Sequence, residues 1–440
     1  MRERGRRRSA IAGRASSGPL SIIGLMLLCL FAVPARAQAP SPVQQRANLL
    51  IEFWNGDAQA GTVFAPAFLA AVPAERVAAI ALQVRTDLGK ATGIAQIKAA
   101  SSTSAEITFA FERGQLDVRL AVESQPPHLV QGLLVTGSRR EDDSLAKIVA
   151  ELNALPGFAS LNVARLGTGA PTILAGTGQQ RASAIGSVFK LFVLAEIDRQ
   201  VSKGERRWTD VVPLTHKSLP SGSLQDWPAQ APLTLYSLAA LMISQSDNSA
   251  TDTLLHLVGR ERVEAGLPRL GIVNAAANRP FLTTFEAFAL KGGDQALTRR
   301  WLAGDEKTRR SLLRDLAAVR PEQIDAGKLQ GRPAQIDEIE WFASTDNLVR
   351  TLDWLRRNGG KETLEILAIN PGLQPTLAQR LAYWGYKGGS ETGVIAMSFL
   401  VRNKAGTWYA VAATWNEPAA PVEDAKFVAL LSRAMSLIPQ

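Results

Sequence analysis

The pattern of apolar and polar positions divides the chain. Residues 42–136 open with two helical stretches and then alternate. Ala105, Ile107, Phe109 and Phe111 are separated by polar or small residues; after Arg113-Gly114, Leu116, Val118, Leu120 and Val122 interleave with Asp117, Arg119, Ala121 and Glu123. A two-residue period broken by a Gly turn predicts a hairpin with one buried face, and residues 130–135 predict a further strand. Helices followed by an antiparallel sheet make a small α+β domain. Residues 137–143 (GSRREDD) form a polar joint that marks its end.

Beyond the joint, residues 144–155 predict a helix, and 159–166 and 172–175 two strands. The end of the chain supplies more. Residues 394–401 and 408–415 flank a turn at Asn403-Lys404-Ala405-Gly406, and a last helix carries Phe427, Leu430, Leu431, Ala434 and Ile438 on one face. From 187 to 358 the pattern is mostly helical. The expected fold class is therefore α+β: a small helix-plus-antiparallel-sheet domain over 38–142, then a second domain over 143–440. The second domain's antiparallel sheet comes from both of its ends, around an inserted helical block. No internal repeat runs through the chain.

Composition changes the picture at the N-terminus. The chain has 440 residues and a formal net charge of +9, but residues 1–37 hold seven Arg against one Glu. A basic stretch over 2–14, an apolar run over 20–34 (LSIIGLMLLCLFAVP) and Ala35-Arg36-Ala37 predict a secretory signal peptide, with a retained anchor as the alternative. The apolar run is shorter than the ~20 residues of a membrane span. The expected protein is thus exported, periplasmic or secreted, with no membrane span after cleavage. What remains carries only about +3, which gives nucleic-acid binding no support. Cys29, the single cysteine, leaves with the signal, so neither disulfides nor a thiolate metal site is expected. His128, His216 and His256 are scattered, with no H-x-x-x-H, so no metal or other cofactor is expected either.

Three short motifs carry candidate chemistry: Ser187-Val188-Phe189-Lys190, Ser246-Asp247-Asn248 and Lys387-Gly388-Gly389-Ser390. Ser187 and Lys190, three apart, share one face of a helix entered at Gly186. A serine at a helix N-terminus sits among free N–H groups that favour an oxyanion. The run Phe189 to Ala195 is apolar almost all round, so Lys190 is expected to be buried. A desolvated lysine beside a second cation, for which Lys387 is the candidate, loses its proton readily, and its neutral amine can take the proton of a serine. Ser246, between two apolar helical stretches (233–243 and 250–258), can relay a proton, and Asn248 can orient Lys190 or a substrate amide. A plain helix cap explains Ser246-Asp247-Asn248 equally well in isolation. Lys387-Gly388-Gly389-Ser390 follows a short strand, 381–386. Small residues at Gly389 let a substrate lie along the edge, and the Ser390 and Ser187 N–H groups would form an oxyanion hole. A second S-x-x-K, Ser144-Leu145-Ala146-Lys147, lies on an amphipathic surface helix and is set aside.

In this order the motifs resemble the S-x-x-K, S-D-N and K-T-G set of class A β-lactamases and penicillin-binding proteins. Residues 156–440 look like such a serine β-lactamase domain, most closely over LTLYSLAALMISQSDNSATDTLLHLVG (233–259). The whole layout resembles two-domain proteins in which a small cystatin- or steroid-isomerase-like domain precedes it, one group of which is associated with clavulanic acid clusters. The resemblance implies Ser187 as nucleophile, Lys190 as its base, Ser246 as proton relay and Lys387 as the electrostatic and carboxylate-binding residue. It implies a covalent acyl-enzyme with a small-molecule substrate, a β-lactam or related ester or amide.

Two departures qualify it. The family's deacylating Glu lies in an E-x-x-L-N pattern that does not occur in 249–386. The nearest acid, Glu286, follows Thr283 at capping-box spacing. Gly388 stands where a Ser or Thr hydroxyl is usual, so a substrate carboxylate loses a partner unless Ser390 or Thr392 replaces it. The expectation is an acylating serine hydrolase with weak β-lactam turnover. The alternatives are a penicillin-binding peptidase or esterase, and a non-catalytic β-lactam sensor.

Overall fold

In a computed structural model, residues 40–272, 275–373 and 375–439 are described; the expected signal peptide lies outside them. Helix α1 (Pro42–Asn55) starts at Ser41, whose hydroxyl caps Gln44 N, and ends at Gly56 in the left-handed region. Two short helices (Ala60–Val63 and Pro66–Ala71) lead to α2 (Ala74–Leu88). Four antiparallel strands follow in sequence order, β1 (Ala91–Ala99), β2 (Ser104–Phe111), β3 (Gly114–Val122) and β4 (Val130–Arg140). The alternation resolves as the pattern predicts. Ile107, Phe109, Leu116, Val118 and Leu120 are buried against Leu50, Phe53, Trp54 and Phe64. The joint is shorter than its polarity suggests, because β4 runs to Arg140. Asp117 on β3 pairs with Arg139 at 3.0 Å, so charged residues can extend the ladder.

Helix α3 (Leu145–Asn153) is capped by Ser144, which accepts from Lys147 N at 3.2 Å. That accounts for the discarded S-x-x-K. Strands β5 (Phe158–Leu166) and β6 (Thr172–Thr177) come next, then the helical block: α4 (Lys190–Ser202), α5 (Leu235–Ser244), α6 (Asn248–Val258), α7 (Thr284–Gly292) and α8 (Thr345–Asn358) are the members that matter below. The chain returns to the sheet through β7 (Tyr383–Glu391), β8 (Val394–Arg402) and β9 (Trp408–Asn416) and ends in α9 (Asp424–Ser436). The five-stranded antiparallel order is β7-β8-β9-β5-β6, so both ends of the segment build one sheet, as expected. One face (Ala164, Ala396, Leu400, Ala410, Ala412) packs on the helical block. The other (Leu161, Val163, Phe399, Val401, Val411) packs on α3 and α9 through Ile148, Phe427 and Leu431. Burial on both faces explains why β8 is apolar throughout rather than alternating.

One expectation is corrected here. The strand expected over 381–386 runs on to 391, so Lys387-Gly388-Gly389-Ser390 does not follow it. It lies inside β7, paired Lys387 to Ser398 through Ser390 to Ile395, on the edge of the sheet. No helix among the described residues is long and apolar enough to cross a membrane.

Candidate active site

Ser187 lies in a single 3-10 turn, Gly186–Phe189, which leads directly into α4. Below the turn, Phe189 stacks on Trp341 with centroids 3.8 Å apart and meets Phe281 edge-on at 5.7 Å. Stiff aromatic packing therefore fixes the turn, while Ser187 itself is only half-buried. Helix α4 is buried almost all round, from Lys190 to Asp198, and Lys190 has no exposed surface.

A buried ammonium is costly unless it is paired. Lys190 Nζ donates to Ser246 O at 2.6 Å, Asn248 Oδ1 at 2.7 Å and Ser246 Oγ at 3.1 Å. None of these partners is charged. Desolvation, and then the nearby Lys387, hold its pKa well below that of an ordinary lysine, against the pull of Asp252 and Asp247. As a neutral amine Lys190 keeps two N–H groups, enough for the two carbonyl oxygens, and its lone pair is free to accept a proton.

Ser246 sits where α5 has ended and α6 has not begun. Its φ is +55°, a left-handed conformation unusual for serine. The twist turns its carbonyl toward Lys190 Nζ and Ser221 Oγ, the latter at 2.7 Å. Asp247 supplies the helix cap: one oxygen accepts from Ala250 N, the other from Ser223 N and Leu224 N at 2.7 and 2.9 Å. The cap reading thus holds for Asp247, while its two neighbours face the lysines. Asn248 donates to Leu219 O at 3.0 Å, which orients its carbonyl oxygen at Lys190.

Lys387 reaches in from the sheet edge. Its Nζ donates to Ser246 Oγ at 3.0 Å and to Gly388 O at 2.5 Å, and burial brings its pKa down to about 7. The Ser246 hydroxyl therefore bridges the two amines. Beside them β7 runs against the Ser187 turn. A Cβ at Gly389 would sit 2.5 Å from Ser187 N and 2.8 Å from Val188 N, and one at Gly186 would sit 3.1 Å from Ser390 N. Only glycine allows this approach of strand to turn.

Glu286 lies elsewhere in the bonding pattern. It closes the capping box with Thr283 (Glu286 Oε2 accepts from Thr283 N at 2.7 Å) and pairs with Arg260 at 2.7 Å. Thr392 donates to Leu329 O at 3.2 Å, and Ser390 is exposed. Ser221, Leu219 and the Phe189–Trp341 stack have no local signature in the sequence; each acts through a long-range contact. No group of three or more His, Cys, Asp or Glu among the described residues could hold a metal ion.

Comparison with known proteins gives one family. The Beta-lactamase enzyme family (Beta-lactamase2) matches residues 143–436. No curated protein matches the chain. Similar solved structures include a β-lactamase from Sphaerobacter thermophilus DSM 20745, 24% identical, covering 66% of this chain and 92% of its own, with a TM-score of 0.44. PBP-A is 16% identical over 66% of this chain and 93% of its own, with a TM-score of 0.47. A β-lactamase from Chitinophaga pinensis DSM 2588 is 17% identical over 67% and 96%, with a TM-score of 0.43.

Proposed function

This chain belongs to the β-lactamase enzyme family, and on that premise we propose that it is an exported active-site serine hydrolase that forms a covalent acyl-enzyme on β-lactams or related esters and amides, with slow release. The observation that carries the reading is the Ser246 hydroxyl, 3.1 Å from Lys190 Nζ and 3.0 Å from Lys387 Nζ, which ties all three motifs into one hydrogen-bonded unit. The neutral Lys190 amine takes the Ser187 hydroxyl proton as Oγ attacks the substrate carbonyl carbon. The N–H groups of Ser187 and Ser390 stabilise the oxyanion. As the C–N or C–O bond breaks, the proton passes from Lys190 through Ser246 to the leaving atom. Charged Lys387 holds Ser246 in place and attracts an anionic substrate. The free edge of β7, with its small residues, accepts the substrate alongside.

Slow release follows from the residues below the Ser187 turn. Arg279-Pro280-Phe281-Leu282-Thr283 keeps the leucine spacing of E-x-x-L-N, with Arg in place of the acid and Thr in place of the amide. The Thr283 oxygen is already taken by Glu286 N at 3.1 Å, and Glu286 is engaged by the cap and by Arg260. The other carboxylates that approach this stretch among the described residues are committed to its backbone, Glu264 accepting from Phe281 N at 2.9 Å and Asp252 from Thr284 N at 2.8 Å. The four-stranded unit of residues 42–140 contributes none of these groups, and we read it as a separate small domain.

The test is intact mass of residues 38–440 after incubation with benzylpenicillin. A lasting adduct of one whole penicillin, mapped to Ser187 and absent in Ser187→Ala, is expected. Rapid hydrolysis without an adduct would contradict slow release; inertness toward every β-lactam and activated ester would contradict acylation itself.

A further inference from the structure

One buried ionic cluster takes no part in the chemistry described so far. Lys291, in the last turn of α7, has only 2% of its side chain exposed. Its Nζ donates to both oxygens of Glu391, at 2.5 and 2.7 Å, and to Glu340 Oε1 at 2.9 Å. One carboxylate is enough to pair a buried lysine, and a second leaves surplus negative charge unless the two acids keep a proton between them. Burial and the adjoining Glu340 accordingly hold the Glu391 carboxyl well above its usual range. Lys291, against the pull of its own burial, is held charged by Glu340 and Glu391. The cluster is thus close to neutral, as its burial demands.

Its position is informative. Lys387, Gly389 and Glu391 alternate onto one face of β7. That face meets the Ser187 turn, since a Cβ at Gly389 would lie 2.5 Å from Ser187 N. Gly389 has no side chain with which to hold the contact. To one side of it Lys387 ties the strand to Ser246, and to the other Glu391 ties it to Lys291. The same ammonium also secures the support beneath the turn. Glu340 precedes Trp341, whose carbonyl accepts from Ile185 N at 3.0 Å and whose ring stacks on Phe189, and Phe342 pairs with Ala184. Strand and support converge on one charge that reaches out of the helical block.

We infer that Lys291 is a positioning residue: through Glu391 and Glu340 it clamps the end of β7 to the segment beneath Ser187, and so holds the Ser390 N–H where the oxyanion forms. The inference rests on the proposed function, which puts the oxyanion hole at Ser187 and Ser390. The clamp touches no substrate, so it governs the rate of acylation and not the affinity for the substrate. A strand end that drifts by ~1 Å costs up to about a hundredfold in rate, on the order of a whole oxyanion donor lost.

Substitution at Glu391 separates the tie from the fold. Glu391→Leu cuts the strand loose but leaves Lys291 paired with Glu340, so no charge is stranded. Glu391→Gln keeps an acceptor for Lys291. Lys291→Met together with Glu340→Gln cuts the same tie from the helical side, and gives the reading if Glu391→Leu does not unfold cooperatively in urea. Acylation by saturating benzylpenicillin, followed by time-resolved intact mass, should slow about ten- to a hundredfold in Glu391→Leu and in the double variant, and stay within about threefold of the parent in Glu391→Gln. In a Ser187→Ala background the calorimetric Kd of benzylpenicillin should move less than about twofold in all three. Parent-like acylation after the tie is cut, equal slowing in Glu391→Gln, or a Kd that rises as steeply as the rate falls would overturn the inference. A parent protein that forms no Ser187 adduct refutes the functional reading itself, and the clamp's role with it.

Discussion

Ser246 combines two properties that substitution can separate: a hydroxyl between two amines and a backbone held at φ +55°. Ser246→Ala and Ser246→Gly both delete the hydroxyl. Lys190 keeps Ser246 O and Asn248 Oδ1, and Lys387 keeps Gly388 O, so neither amine is stranded. The deletion should cost about 1 kcal/mol in stability. Alanine retains the left-handed strain of about 1–2 kcal/mol. Glycine relieves it but loosens the unfolded chain by ~0.5–1 kcal/mol. The glycine variant should therefore be more stable than the alanine variant by roughly 1 kcal/mol, near parity with the parent. Loss of the relay should slow acylation about 10²–10⁴-fold in both. Urea unfolding followed by tryptophan fluorescence reads the first quantity, and time-resolved intact mass with benzylpenicillin the second. An alanine variant at least as stable as the glycine variant would refute the strain; one that acylates at the parent rate would refute the relay.

Other substitutions and pH test the same geometry. Gly389→Ala pushes a methyl to 2.5 Å from Ser187 N, so the Ser187 turn must move; acylation should fall at least a hundredfold while cooperative unfolding persists, and a parent-like rate would show that the strand does not abut the turn. Glu286→Gln leaves Arg260 without its charge partner in a nearly buried pair (11% and 9% exposed) and should cost about 3 kcal/mol, with the lifetime of the penicilloyl adduct unchanged; an adduct persisting tenfold longer would make Glu286 the deacylating acid. The proposed mechanism needs Lys387 charged, so with its pKa at about 7 the second-order acylation rate should fall as pH rises through 7; a flat profile from pH 6 to 9 would contradict this. Stability should move the opposite way. An unfolded lysine holds its proton to 10.5, so between 7 and 10.5 unfolding takes up a proton and the folded state gains stability as pH rises, which urea midpoints across that range would register.

The parts of the molecule visible in the sequence are those where a local pattern meets a buried face. Ile107, Phe109, Leu116 and Val118 announce the hairpin because one side of that sheet is solvated; Phe427, Leu430 and Leu431 announce the last helix in the same way. Lys387 through Ser390 announces nothing as a strand, since two glycines erase the alternation and only pairing with β8 defines it. The three motifs are recognisable by residue type and order. What joins them is not, because the carbonyl of Ser246 and the loop serine at 221 come into play only through contacts between distant segments.

The order of the strands has a consequence for how the protein comes to be active. Ser187 and Lys190 are followed by nearly two hundred residues before the chain reaches β7, which supplies Lys387 and the glycine that abuts the Ser187 turn. Until those late strands join the sheet through β5, the Lys190 amine lacks part of the burial and the neighbouring Lys387 that together lower its pKa, and the Ser187 turn has no strand against it. On the proposed mechanism, a truncated chain that lacks β7 lacks both Lys387 and the strand against the Ser187 turn, so the acylating unit is complete only when the last strands have joined the sheet.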